Sequence, residues 1–339
     1  MSATAPSSTR RSGLLGLVVP EAKGIVLGTA LLAMLCAAGE AMIPDFLSGT
    51  NVRSILLLAS FLGLAAMGQT LVALVGGLDL SIPFVIGSAN IGLAALFGTG
   101  MPAALAIVLV AAAGWSIGLL NAVLSYRLQN QALIVTLGVG FTVVGLAQVA
   151  TSIGSSYGGN VVGTVPAAFA GISAANGTVF GVPIPPVVLI WAAVTAAVVF
   201  LMRRTRIGRE FYAVGGNRVA ASRLSISTFR YWVLAYAMSG ALAALTGMLL
   251  LGFSGGGFVG VGDPYLFTTI AAVVLGGTSL LGGSGGCGLT IIGVLVLQVL
   301  TSLLVGLGFS YAGQQAIFGL LIVPMVAVYA RSPHVKLQI

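Results

Sequence analysis

The chain has 339 residues, of which 58% are hydrophobic and 6% charged, and its formal net charge is +8. A soluble domain carries about 25% charged residues, so 14 basic and 6 acidic side chains cannot clothe a globule of this size against water. The composition excludes disorder, a disulfide scaffold, a coiled coil and an ordinary soluble enzyme, and it leaves a polytopic membrane protein.

Residues 1–22 read as a cytoplasmic tail without a fixed fold. Arg10-Arg11 has the look of a twin-arginine signal, but the apolar run behind it stops at Pro20 and no clean cleavage site follows. Ten apolar runs then succeed one another at 24–44, 54–75, 80–97, 102–124, 131–152, 184–202, 232–253, 264–282, 287–306 and 313–330. They are continuous rather than alternating, which predicts helices and not a β-barrel. The expected fold is therefore all-α, with about ten transmembrane helices in a body spanning 23–330. Glycines interrupt the third and eighth runs, which read as broken or re-entrant. Such backbone is tolerated in a membrane only where protein or a watery cavity satisfies it.

Residues 153–183 carry no charge and many Gly, Ser, Asn and Pro, as an external loop would. Residues 203–231 hold seven arginines and are too polar to span, so they read as a cytoplasmic loop with one or two short helices. Asn217 is a natural N-cap there, after Gly215-Gly216, which would let the chain turn sharply. Residues 331–339 form a second cytoplasmic tail. Threading ten spans from an inside N-terminus leaves 13 of the 14 basic residues on the cytoplasmic side and only Arg53 outside, which is the bias that orients membrane proteins. The same placement removes a nucleic-acid reading, since neither aromatic interleaving nor a soluble domain accompanies the charge.

Several chemistries are excluded by missing residues. The two lysines, Lys23 and Lys336, do not stand in a GxxxxGK[ST] sequence, so the chain builds no P-loop. The single histidine, His334, lies in the C-terminal tail, and Cys36 and Cys287 sit in apolar context, so no zinc or haem set can form. Only Glu40, Asp79 and Asp263 could bring a carboxylate near the membrane. That is not the series of ionisable groups an ion-coupled carrier uses, and energy is expected from another subunit. No Ser/His pair, HExxH or carboxylate pair marks an enzyme, and no catalytic residue is named.

Four segments in order carry a resemblance: Gly68 to Ser81 (GQTLVALVGGLDLS), Ala132 to Gly138 (ALIVTLG), Gly208 to Ala221 (GREFYAVGGNRVAA) and Ile270 to Leu280 (IAAVVLGGTSL). Together they resemble the membrane (permease) subunits of ATP-binding cassette sugar importers of the ribose, xylose and galactose type, within the branched-chain amino acid permease-like superfamily. The likeness covers about residues 45–330. It implies a transport subunit of a bacterial inner membrane, multi-pass, that translocates a sugar or sugar-like solute. It also implies separate ATP-binding subunits holding the ATP and Mg, a second permease copy or sister permease, and a periplasmic or extracellular solute-binding protein. The chain itself would bind no cofactor. Related permeases for branched-chain amino acids or nucleosides, and an ion-coupled secondary transporter, remain as alternatives.

The resemblance further implies that the loop couples to the ATPase through Gly208, Arg209, Glu210, Gly215, Gly216, Asn217, Ala220, Ala221 and Ile226. Neutral polar groups would line the path, namely Gln69, Asn90, Asn121, Thr136, Gln148, Gln298 and Gln314, with Asp79 as a gate contact. The same residues could instead bridge helices, and Asp79, like Asp263 before Pro264, could cap a helix start. The chain departs from the family pattern at Leu224-Ser225-Ile226, where Ser-Gly-Ile is usual, at Pro83, where a glycine is usual, and before Ile270, where the acidic residue is missing. Gly76-Gly77-Leu78-Asp79-Leu80 and Gly276-Gly277-Thr278-Ser279-Leu280 look alike, as a faint duplication or as chance among 49 glycines.

Overall fold

The computed structural model describes residues 15–128, 131–153, 160–161 and 165–330. The expected tail up to residue 14, the tail 331–339 and parts of the expected external loop lie outside the described residues.

Thirteen α-helices follow one another among the described residues: α1 (Leu15–Met42), α2 (Gly49–Leu74), α3 (Ile82–Gly98), α4 (Ala103–Arg127), α5 (Ala132–Ser152), α6 (Ala167–Ser173), α7 (Pro186–Arg204), α8 (Arg206–Gly216), α9 (Arg218–Arg223), α10 (Thr228–Ser254), α11 (Tyr265–Leu275), α12 (Cys287–Gly306) and α13 (Tyr311–Ala330). A helix lies in each of the ten apolar runs. Seven of them are long and apolar enough to cross a membrane, and α3 and α11 are shorter apolar helices. The fold is all-α and polytopic. One boundary moves, because α1 begins at Leu15 within the segment read as a tail. Pro20 removes one helical hydrogen bond there without ending the helix.

Helices α2 and α10 are buried along most of their length, whereas α1, α4, α5 and α7 turn apolar faces outward. Ile134, Phe141, Leu146 and Val149 on α5, and Val108 and Val123 on α4, are exposed as lipid-facing side chains are. Small residues let the central helices touch. A Cβ on Gly240 of α10 would overlap the Gly114 carbonyl of α4, and one on Gly118 would overlap the Tyr236 carbonyl. This is the close approach that membrane helices use when the hydrophobic effect cannot drive them together.

The eighth run is broken at its glycines, where α11 stops after Leu275, whereas the third run, also expected to break, forms one continuous helix, α3. After α10 the chain forms a two-residue strand, β2 (Gly257–Phe258), paired antiparallel with β1 (Asn160–Val161), then a 3-10 turn (Val259–Gly262). This extended piece lies along α3. Gly257 meets Ala94, Val259 meets Gly87 and Gly262 meets Pro83. Asn90 bridges it to the core, donating to the Gly247 carbonyl at 3.1 Å and accepting from the Phe258 amide at 3.0 Å. Only then does α11 form, eleven residues long.

The look-alike glycine turns share a conformation with the register moved by one. Gly76 and Gly277 have φ near +77° and +81°. Gly77 N donates to Val72 O and Thr278 N to Val273 O at 3.0 and 3.1 Å, closing the same helix-ending loop after α2 and α11. Residue 276 is still in right-handed helical conformation, so Gly76 corresponds to Gly277.

Candidate functional site

The site is built where the two glycine turns meet the arginine-rich segment. Residues 75–81 join α2 to α3, and residues 276–286 join α11 to α12. They touch directly, since Gly283 N donates to the Leu74 carbonyl at 3.0 Å. Gly76, Gly282 and Gly283 all have φ between +75° and +95°, which L side chains rarely adopt.

Helices α8 and α9 lie against these turns. Thr205 caps α8, accepting from the Gly208 amide, and Asn217 caps α9, accepting from the Ala220 amide at 2.9 Å. The N-cap expected at Asn217 is present. The expected turn at Gly215-Gly216 is not, because both residues are helical and the bend falls at Asn217, in extended conformation. The smallness of Gly215 serves packing instead. A Cβ there would overlap the Leu74 carbonyl oxygen. Helix α9 ends on Ser225 with φ +60°, and Ile226 N donates back to Ala221 O at 3.1 Å. This left-handed position is the one where the resembled family has glycine.

Side chains add three ties. The Tyr212 hydroxyl donates to the Gly285 carbonyl at 2.8 Å. Arg218 donates to the Val75 carbonyl at 2.8 Å and stacks its guanidinium 4.4 Å from the Trp232 ring centroid. Glu210 accepts from the Tyr231 hydroxyl and from Arg206, fastening α8 to the start of α10. Those bonds, Tyr231 first and Arg206 second, hold the Glu210 carboxyl below the ordinary carboxylate range. Desolvation lowers the Arg218 value.

Of the expected coupling residues, Gly208 and Ala221 are buried, Ile226 packs against the core, and Arg209, Gly216, Asn217 and Ala220 are exposed. The segment thus presents an outer face made by Asn217 and Ala220 and an inner face bonded to both turns.

The turn 75–81 is clasped from the other side by three helices. Asp79, buried, accepts from Ser81 N at 3.0 Å, Ser81 Oγ at 2.6 Å and Ser239 Oγ of α10 at 2.8 Å. Asn121 of α4 donates to Ser81 Oγ at 2.7 Å, Thr136 of α5 accepts from Leu80 N at 3.0 Å, and Tyr236 of α10 donates to the Leu78 carbonyl at 3.1 Å. Asp79 therefore does not cap a helix as expected. Ser81 holds the N-cap position of α3 but its hydroxyl makes no capping bond to the helix, and Asp79 closes the turn just before it. Nor does Asp263 cap α11, whose N-cap is Pro264.

The remaining polar residues divide. Asn90 spends both ends of its amide on backbone. Gln314 donates to the Phe309 carbonyl, Gln298 is buried on α12, and Gln148 is exposed on α5. Gln69 is fully buried with neither amide atom bonded to any described residue, and Asn121 Oδ1 is likewise without a partner. The sequence reading missed Ser239, Tyr212 and Arg218. Arg218 carried a signal, a lone arginine directly after the Asn217 cap, but Ser239 sits within an apolar run with nothing to single it out.

A family described as the permease component of the branched-chain amino acid transport system matches residues 51–326. The ribose import permease protein RbsC of Bacillus subtilis (strain 168) is 33% identical over 285 residues, 82% of this chain and 84% of that protein. The autoinducer 2 import system permease protein LsrD of Yersinia enterocolitica is 32% identical over 273 residues, 80% of this chain and 81% of that protein. The LsrD protein of Yersinia pestis matches equally well. No solved structure matches the chain.

Proposed function

The chain belongs to the family of permease components described for the branched-chain amino acid transport system, and from that membership we propose that it carries a sugar or sugar-like solute inward, driven by ATP-binding subunits docked on α8 and α9. The observation that carries this reading is the double attachment of that segment. Gly215 and Arg218 rest on the turn after α2, while Tyr212 holds the turn before α12. A push on α8 reaches both halves of the helix core at once.

The mechanism follows from that arrangement. An ATP-binding partner grips the outer face through Asn217 and Ala220, while Arg209 faces the cavity at the start of α12. Its closure on ATP moves α8 and α9, and the turns they carry, relative to the spans. The partner must bind the two arrangements unequally for any work to pass. The turn 75–81 transmits the shift to α3, α4, α5 and α10 through Asp79, Ser81, Asn121, Thr136 and Ser239. The solute path is lined by neutral polar groups, with Gln69 and Asn121 bringing amide atoms that no described residue bonds. Spare donors and acceptors suit a hydroxyl-rich cargo, and weak distributed contacts let it leave. A second copy or a sister permease completes the path, and a solute-binding protein delivers the cargo from outside. The distribution of basic residues supports a cytoplasmic position for both termini and the α8–α9 segment.

The names of the relatives give the first solutes to test, ribose and autoinducer 2. Reconstitution of the chain in liposomes with and without its ATP-binding subunits is the deciding experiment. Uptake that needs both ATP and those subunits is expected. Uptake by the chain alone that collapses with an ion gradient would replace this reading with a secondary carrier, and uptake of leucine or a nucleoside would reassign the cargo.

A further inference from the structure

Two cavities meet at the junction of α7, α8 and α12. One, of about 570 Å³, is lined by Arg203 at the end of α7, Arg209 and Tyr212 of α8, and residues 285–289 at the start of α12. The other, of about 560 Å³, runs along α7 and α12 past Ala196, Thr195 and Trp191 to Ile25 of α1. They share Val199, Arg203, Gly288 and Leu289, so a charged mouth continues into an apolar groove.

We propose that this composite pocket holds an anionic phospholipid, its phosphate between Arg203 and Arg209 and one acyl chain in the groove between α7, α12 and α1. Charge complementarity selects the occupant. Arg203 and Arg209 form no ion pair or hydrogen bond with any described residue, and only one ion pair, Arg206 with Glu210, forms among the described residues. The Arg203 guanidinium lies beside Gly288, where α12 begins without a side-chain cap and its amides add to the positive field. A free phosphate would satisfy the mouth and leave the groove empty. A neutral lipid would fill the groove and leave two guanidinium groups without a counter-charge. The inference needs the membrane-embedded fold but neither the solute nor the ATP-binding partner, so it stands or falls separately from the transport reading.

The test uses the full chain in mild detergent, with dioleoyl phosphatidylglycerol and dioleoyl phosphatidylcholine as probes and native mass spectrometry as readout. Two basic groups at an anionic surface support a preference for phosphatidylglycerol of roughly thirtyfold. The pair Arg203→Gln and Arg209→Gln is expected to bring the two lipids to equal retention. Ala196→Trp, which keeps every charge and blocks the groove, is expected to lower phosphatidylglycerol retention as well, and it decides the matter if the arginine variant does not fold. Millimolar inorganic phosphate is expected to leave the bound lipid in place. Equal retention of both lipids by the unaltered chain, displacement by inorganic phosphate, or indifference to Ala196→Trp would overturn the proposal and leave the pocket to a free anion or to the docked ATP-binding subunit.

Discussion

The guanidinium of Arg218 donates to the carbonyl of Val75, the residue that follows the last turn of α2, while stacking on Trp232 of α10. One side chain thus joins the short helix α9, a glycine turn and a central span. Replacing it with alanine removes a charge-assisted bond worth roughly 1.5–3 kcal/mol, and thermal unfolding of the purified chain is expected to register a loss of that size. Lysine keeps the charge but not the planar fork, so Arg218→Lys should recover less than half of the loss. Full recovery by lysine would show that the fork does not matter.

Gly215→Val tests the mechanical link. A Cβ at this position would overlap the Leu74 carbonyl, and forcing atoms into packed space costs about 1–3 kcal/mol. Solute taken up per ATP consumed is expected to fall in reconstituted complexes, with membrane insertion unchanged. Unaltered coupling in a folded Gly215→Val complex would detach α8 from the transport cycle.

Ser225 stands in left-handed conformation at φ +60°, which costs a residue with a Cβ roughly 1–2 kcal/mol. Ser225→Gly is expected to raise the midpoint of thermal unfolding, by an amount equivalent to about 1 kcal/mol. A lowered midpoint would mean that the hydroxyl has a role outside the turn.

Acid should loosen α8. The Glu210 carboxyl is held below its ordinary value by Tyr231 and Arg206, so the attachment it makes is fully present above the ordinary glutamate pKa and is lost as pH falls through the depressed folded value. Hydrogen exchange along α8 is expected to speed up only below about pH 4. In Glu210→Gln exchange should be fast at every pH. An acid response that persists in that variant would point to another group.

Gln69→Leu separates the two readings of a buried amide. Removing unsatisfied buried polar atoms should leave stability unchanged or raise it by about 1–3 kcal/mol, while uptake falls if the amide meets cargo. Full uptake in a stabilised variant would assign Gln69 to helix packing.

Much of the fold was legible from lipid physics. The apolar runs, the arginine placement and the absent charges left few alternatives to a helical membrane body, and the glycines at 276–277 and 282–283 pointed to the break after α11. What could not be read was the partner of each turn. Asp79 looked like a helix cap because Ser81 and Pro83 follow it, yet its carboxylate is bonded by Ser239, 160 residues away. Gly215 looked like a hinge because glycine permits one, whereas its missing side chain is what admits Leu74. A sequence shows which residues are small or polar, but not which neighbour makes that necessary.

The extended stretch beside α3 also bears on biogenesis. At 1.5 Å per residue α11 is about 16 Å long, roughly half the thickness of the hydrocarbon layer. It cannot leave the translocon as an independent hydrophobic rod. The stretch ahead of it has its Phe258 N–H received by the Asn90 carboxamide, which also holds the Gly247 carbonyl, so this crossing is completed by α3 and α10. The last quarter of the polypeptide is thereby anchored on helices synthesised before it.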